Sequence, residues 1–62
     1  MYYVTVLLGK DPATGRSNYG VAAEFDEFAD AKAAADNYAA SGEVAEVEVS
    51  HPDGWETVYC AG

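Results

Sequence analysis

The sequence is poor in cysteine, histidine and basic residues, and each shortage excludes a class of protein. Cys60 is the only cysteine among 62 residues, so no disulfide can form within the chain. A structural zinc site needs four ligands, which one cysteine and the single histidine, His51, cannot supply in a usual arrangement. No apolar run approaches the ~20 residues of a membrane-spanning helix. We therefore expect one small domain, residues 1–62, without a metal, a cofactor or a membrane span.

Basic residues are scarce, and this limits the partners. The chain has three lysines and arginines against eleven acidic residues, a formal net charge of −8. Binding to phosphates needs Lys and Arg, so nucleic acid and anionic membranes are excluded as direct partners. A protein with a basic surface is favoured, because long-range attraction speeds association. The alternative is that acidity only prevents aggregation.

The single cysteine and the absence of a basic segment before the first apolar residues predict a cytoplasmic protein without a signal peptide.

The charge is distributed unevenly along the chain. Residues 24–62 contain ten acids and one lysine, a net charge of −9, whereas residues 1–23 carry +1. Any electrostatic recognition is therefore expected from the second part of the chain.

Hydrophobic periodicity predicts the order ββαββ. Alternating segments at 2–8, 19–25, 43–50 and 55–60 indicate strands, and the alanine-rich segment between the second and third indicates a helix. Asp26 is the expected N-cap and Gly42 the expected residue just beyond the helix end. The fold class is α+β, with a four-stranded antiparallel sheet and one helix packed on one face. The 9–18 segment, rich in turn-forming residues, is expected to be a long, mobile hairpin loop, or else an arm that reaches a partner.

The second hairpin carries the sharpest turn signal, residues 51–54 of sequence His-Pro-Asp-Gly. It predicts a three-residue loop in which His51 pairs with Trp55, which then faces the core together with Val47 and Val49. In the first hairpin, Tyr19 and Val21 are expected to face inward. The predicted uncovered face consists of Tyr3, Thr5, Leu7, Ala22, Glu24, Glu46, Glu48, Glu56, Val58 and Cys60.

Catalytic motifs are not found. His51 has no nucleophile implied beside it, and Cys60 has an acidic rather than an electropositive predicted neighbour, Glu46. Close carboxylates at Glu46, Glu48 and Glu56 can bind a hard cation, but the loop ligands of a calcium site are missing. An RNA-binding sheet is disfavoured by the charge. We expect no enzyme activity.

Two functions fit these features. In the first, the chain is an acidic inhibitor or regulator that engages a basic surface of a nucleic-acid-binding protein as a nucleic-acid mimic. In size, acidity and lack of catalytic residues it resembles, in type and without a shared motif, small phage and mobile-element proteins that block host machinery, including anti-CRISPR proteins and DNA mimics. In the second, it is a homodimeric structural or accessory module that pairs through its uncovered face. The partner-binding candidates are Glu46, Glu48 and Glu56 on the sheet and Asp30 and Asp36 on the helix for the first, and Tyr3, Leu7 and Val58 for the second.

Overall fold

The computed structural model describes residues 1–61 and confirms the order ββαββ. Strands β1 and β2 comprise Tyr2–Lys10 and Ser17–Phe25, and the helix α1 comprises Phe28–Ala40. Strands β3 and β4 comprise Ala45–His51 and Gly54–Ala61. No helix within residues 1–61 has the length and apolar character needed to span a bilayer.

The four strands form one antiparallel sheet in the order β2-β1-β3-β4. Strands β1 and β3 are therefore central, and β2 and β4 are the edges. The helix contacts all four strands from one side, and the molecule measures 36 × 32 × 15 Å. The shortest dimension corresponds to one helix layer on one sheet layer, which leaves the other sheet face uncovered.

The core between helix and sheet consists of small side chains. Alanines Ala31 and Ala35 on the helix are fully buried against Val4 and Val47 of the central strands. Alanine on the packing face lets the helix axis approach the sheet closely, as the sequence predicts. Phe28 and other partly buried residues close the edges of this core. The valines at positions 4 and 47 are its largest fully buried side chains.

The helix begins one residue later than predicted. Its N-cap is Glu27 rather than Asp26, and Phe28 is the first helical residue. The ring of Phe28 packs edge-on against Tyr2, with centroids 5.6 Å apart, which anchors the first turn over the sheet. Capping preferences concern only the residue at the N-cap. They do not predict a helix start that is set by the packing of Phe28.

The helix ends at Ala40 with Ser41 as its C-cap, and Gly42 lies just beyond the end, as predicted, with a φ of +90°. The Gly42 N–H donates to the Ala39 carbonyl at 3.0 Å, and the Glu43 N–H donates to the Tyr38 carbonyl at 3.1 Å. These two hydrogen bonds form a Schellman motif, which satisfies carbonyls at the end of the helix.

The first hairpin loop is shorter than predicted, because β1 continues to Lys10 and β2 begins at Ser17. Asp11 organises the turn: its carboxylate accepts from the Ala13 N–H at 2.9 Å, and its carbonyl accepts from the Gly15 N–H at 2.7 Å. The backbone of Asp11 and Arg16 is also joined, at 2.8 Å. Residues 11–16 therefore form a hydrogen-bonded turn that is shorter than the predicted loop of residues 9–18.

The predicted register of the second hairpin is correct only at the end far from the turn. Glu46 pairs with Cys60 and Val47 with Tyr59, as expected. Val58 then has no direct partner, and Glu48 pairs with Thr57. His51 consequently pairs with Gly54 instead of with Trp55. A one-residue shift moves side chains to the opposite face, so the prediction that Trp55 faces the core is wrong.

The first hairpin contains two comparable irregularities, one between Val4 and Thr5 and one between Leu7 and Gly9 of β1. Val4 pairs with Ala23 and Thr5 with Val21, which leaves Ala22 without a direct partner. Beyond this bulge, Tyr19 and Val21 lie opposite outward-facing residues of β1 rather than over the core. Their predicted inward orientation is therefore wrong, and both are largely exposed.

Candidate functional site

The sheet face without a helix, which we call the outer face, carries three carboxylates in a defined arrangement. Glu24, Tyr3 and Glu48 form one row across β2, β1 and β3, and Glu46 lies two residues from Glu48 on β3. Strand geometry places the Cα atoms of Glu46 and Glu48 about 7 Å apart and those of Glu24 and Glu48 about 10 Å apart. Tyr3 and Leu7, which the sequence analysis names as partner-binding candidates, lie on β1, one of the two central strands.

Aromatic and aliphatic side chains lie on the same face. Trp55 packs edge-on against Tyr3, with ring centroids 5.0 Å apart, yet it is 58% exposed. Tyr19 and Val21 are 45% and 58% exposed. Exposed tryptophan and tyrosine are typical of protein–protein contact surfaces, where each buries a large area when a partner binds.

A shallow depression of about 290 Å³ lies in the middle of the outer face. Tyr19 and Val21 line it from β2, Glu48 and Trp55 line it from β3 and β4, and Thr5 of the central strand lies between them. The side chain of Glu48 is held there by a hydrogen bond of 3.3 Å from the hydroxyl of Thr57.

Thr5 is the buried polar residue of this depression. It is 5% exposed, and its hydroxyl has no hydrogen-bond partner among the residues that the structure describes. An unsatisfied buried hydroxyl costs about 1–3 kcal/mol. Unsatisfied buried hydroxyls are uncommon in native proteins, and this distinguishes Thr5 among the residues that line the depression.

The basic residues lie away from this depression. Lys32 is on the helix, which covers the opposite side of the sheet, and Lys10 and Arg16 are at the tip of the first hairpin. The outer face therefore combines the carboxylates of Glu46 and Glu48 with exposed aromatic rings, without a neutralising cation beside them.

The other acidic candidates do not join this surface. Asp30 and Asp36 belong to the helix, on the opposite layer. Glu56 pairs with Val49 and therefore lies on the helix side of the sheet, where its carboxylate is 2.8 Å from Nε2 of His51. The prediction that Glu56 shares a face with Glu46 is wrong, because the bulge lies between them. Val58, the remaining candidate, is the bulged residue and is 39% exposed.

Asp36 is engaged within the protein. Its Oδ1 accepts a hydrogen bond from the Tyr59 hydroxyl at 2.5 Å, and its Oδ2 is 3.1 Å from Nζ of Lys32. The hydrogen bond from Tyr59 lowers the pKa of Asp36, and the Lys32 ammonium group lowers it further. The hydrogen bond to Asp36 raises the pKa values of both Tyr59 and Lys32. These contacts attach the helix to β4.

Residues with catalytic potential are dispersed. Cys60 is exposed on β4 opposite Glu46, as predicted, and His51 is next to the turn. Within residues 1–61, no group of three or more histidine, cysteine or acidic side chains is arranged to hold a metal ion.

Sequence reasoning missed Tyr19, Val21 and Trp55 as outer-face residues. Regular alternation along each strand assigned them to the core, and the bulges at Ala22 and Val58 move them outward.

Comparison with protein-family models, with curated proteins and with solved structures finds no match.

Proposed function

We propose that this protein is a non-enzymatic, acidic binding module of the cytoplasm that inhibits or regulates a nucleic-acid-binding protein. The outer face occupies a basic surface of that partner, and its carboxylates take positions that phosphates would otherwise fill. The observation that carries this proposal is the position of Glu46 and Glu48 on a central strand, on the same face as Glu24 and between the edge strands that carry the exposed rings of Tyr19 and Trp55.

Electrostatics favour a basic partner over a neutral one. The Cα atoms of these glutamates lie about 7–10 Å apart, as strand geometry sets them, so their like charges repel one another, and contact with a basic surface relieves this repulsion. Long-range attraction also raises the association rate of oppositely charged proteins. The aromatic residues supply contact area that charge alone does not: Tyr19 on β2 and Trp55 on β4 lie on either side of the carboxylates of the central strand β3.

A nucleic-acid mimic differs from a merely acidic protein in having carboxylates on a rigid support. Glu46 and Glu48 are on a central strand that is hydrogen-bonded on both sides, so their backbone positions are fixed. Fixed charges lose little conformational entropy on binding, and this favours affinity. Asp30 and Asp36, on the other layer, are outside this surface and serve as reference positions.

The test is affinity capture from a lysate with the tagged protein, at low and at high salt, followed by mass spectrometry. We expect a basic nucleic-acid-binding protein that is released as salt rises. The double variant Glu46→Lys/Glu48→Lys should weaken its binding at least tenfold, whereas Asp30→Lys, on the helix layer, should change it less than twofold. Equal binding by the wild type and the double variant would refute the proposal.

Self-association through the outer face is the second candidate, because Tyr19, Val21 and Trp55 leave an apolar area exposed. A two-fold dimer places the same patch of each copy in contact, so it brings the glutamates of both copies into one interface. Their mutual repulsion makes this arrangement less favourable than a basic partner. Light scattering at high protein concentration decides between them: a monomer refutes the dimer, and a dimer disrupted by Trp55→Ala supports it.

A further inference from the structure

We infer that the depression over Thr5 is a binding site for one arginine side chain of the basic partner. This inference rests on the proposed function and names the chemical group that the outer face recognises. Three observations support it: a buried hydroxyl without a partner among the described residues, a carboxylate in the wall, and exposed aromatic rings on both sides.

The size of the depression limits its ligand. A volume of about 290 Å³ lies just below the range of roughly 300–1,000 Å³ found for small-molecule sites. An inserted side chain therefore fits better than a nucleotide or a cofactor.

The chemistry of the lining favours a cation that also donates hydrogen bonds. Glu48 supplies a negative charge, and Thr5 supplies a hydroxyl oxygen that can accept a hydrogen bond. Trp55 and Tyr19 supply aromatic rings, and the face of such a ring attracts cations through its quadrupole. A phosphate or carboxylate ligand would be repelled by Glu48, and a purely apolar ligand would leave the Thr5 hydroxyl unsatisfied.

Arginine meets these conditions better than lysine. Its guanidinium group is planar, stacks on aromatic rings and presents several N–H donors in fixed directions, so it can contact a ring and two oxygen acceptors together. The ammonium group of lysine is more strongly hydrated and cannot stack. Because the Thr5 oxygen is buried, we expect Trp55 or Tyr19 to move aside as the guanidinium enters.

The test uses the isolated protein and short capped peptides, Gly-Arg-Gly, Gly-Lys-Gly and Gly-citrulline-Gly, titrated into the labelled protein and followed by NMR. We expect the arginine peptide to shift the Trp55 indole N–H and the Thr5 amide in a saturable manner. The citrulline peptide, which lacks the charge, should bind at least tenfold more weakly, and the lysine peptide at least threefold more weakly.

Three variants locate the site. Thr5→Val, which keeps the side-chain shape, and Trp55→Ala should each weaken the arginine peptide at least fivefold. Glu48→Gln should weaken it at least fivefold, whereas Asp30→Asn, with the same change in net charge, should leave it unaltered. Non-saturable shifts spread over all acidic residues would overturn the inference.

The peptide experiment needs no partner, so the two proposals fail separately. If the peptides do not bind but Glu46→Lys/Glu48→Lys still abolishes capture of a basic protein, the arginine site is wrong and the proposed function stands. If the arginine peptide binds at Thr5 and no basic protein is captured, the site stands and the proposed function is wrong.

Discussion

The hydroxyl of Tyr59 on β4 donates a 2.5 Å hydrogen bond to the carboxylate of Asp36 on the helix. Lys32 contacts the same carboxylate, and its ammonium group is 5.0 Å from the centroid of the Tyr59 ring. The three side chains link the helix to an edge strand, next to a core whose largest fully buried side chains are two valines. This contact predicts a specific dependence of stability on pH.

Asp36 should stabilise the fold above its ordinary pKa of 3.8, and this contribution should be lost as pH falls through the lowered pKa of the folded state. Tyr59 has a raised pKa, so its contribution should be complete below its ordinary value of 10.0 and lost as pH rises through the folded value. Tyr59→Phe should therefore lower the midpoint of urea unfolding at pH 7. The gap between the midpoints of the variant and the wild type should narrow in acid, because Asp36 becomes protonated there. Tyr38→Phe, on the same helix, is the control. A difference that stays constant from pH 2 to pH 7 would contradict the assigned role of Asp36.

Thr5→Val should stabilise the protein. The change removes a buried hydroxyl that lacks a partner among the described residues and keeps the shape of the side chain, so we expect a gain of about 1 kcal/mol. For a domain of this size that gain raises Tm by roughly 4–8 °C. Thr57→Val removes an exposed hydroxyl that binds Glu48 and should give no such gain. Thermal unfolding measures both, and a loss of stability in Thr5→Val would show that the hydroxyl is satisfied.

Gly42→Ala should destabilise the protein by about 1–2 kcal/mol, because a residue with a Cβ is strained at φ +90°. Gly20→Ala is the matched comparison. A Cβ at position 20 would lie 3.0 Å from the end of the Leu8 side chain, which is 69% exposed and free to move, so we expect a change below about 0.5 kcal/mol. Urea titration should show a larger loss of stability for Gly42→Ala than for Gly20→Ala. Equal losses in the two variants would argue against the Schellman motif at the helix end.

The sequence was sufficient to predict the order of elements, the buried alanine face of the helix and the glycine at its end. These features depend on local periodicity and on backbone preferences that single residues express. It was not sufficient to predict the bulges at Ala22 and Val58. Both edge strands have apolar residues on their two faces, so a one-residue shift costs little burial and the pattern does not fix the register.

The bulges determine the candidate site. They move Tyr19, Val21 and Trp55 to the outer face and move Glu56 to the helix side, away from Glu46 and Glu48. The acidic residues of the sheet and their tyrosine neighbour could therefore be predicted from β1 and β3, which pair without irregularity. The aromatic part of the surface could not, because it depends on tertiary contacts such as that between Tyr3 and Trp55.

The most direct test of the acidic outer face is the affinity for the captured partner as a function of salt, measured for the wild type, Glu46→Lys/Glu48→Lys and Asp30→Lys. Affinity of the wild type should fall steeply as salt rises, because the attraction is screened. The double variant should bind at least tenfold more weakly at low salt and depend less on salt, while Asp30→Lys should follow the wild type. If Asp30→Lys loses affinity and the double variant does not, the partner binds the helix layer and the outer face is not the binding surface.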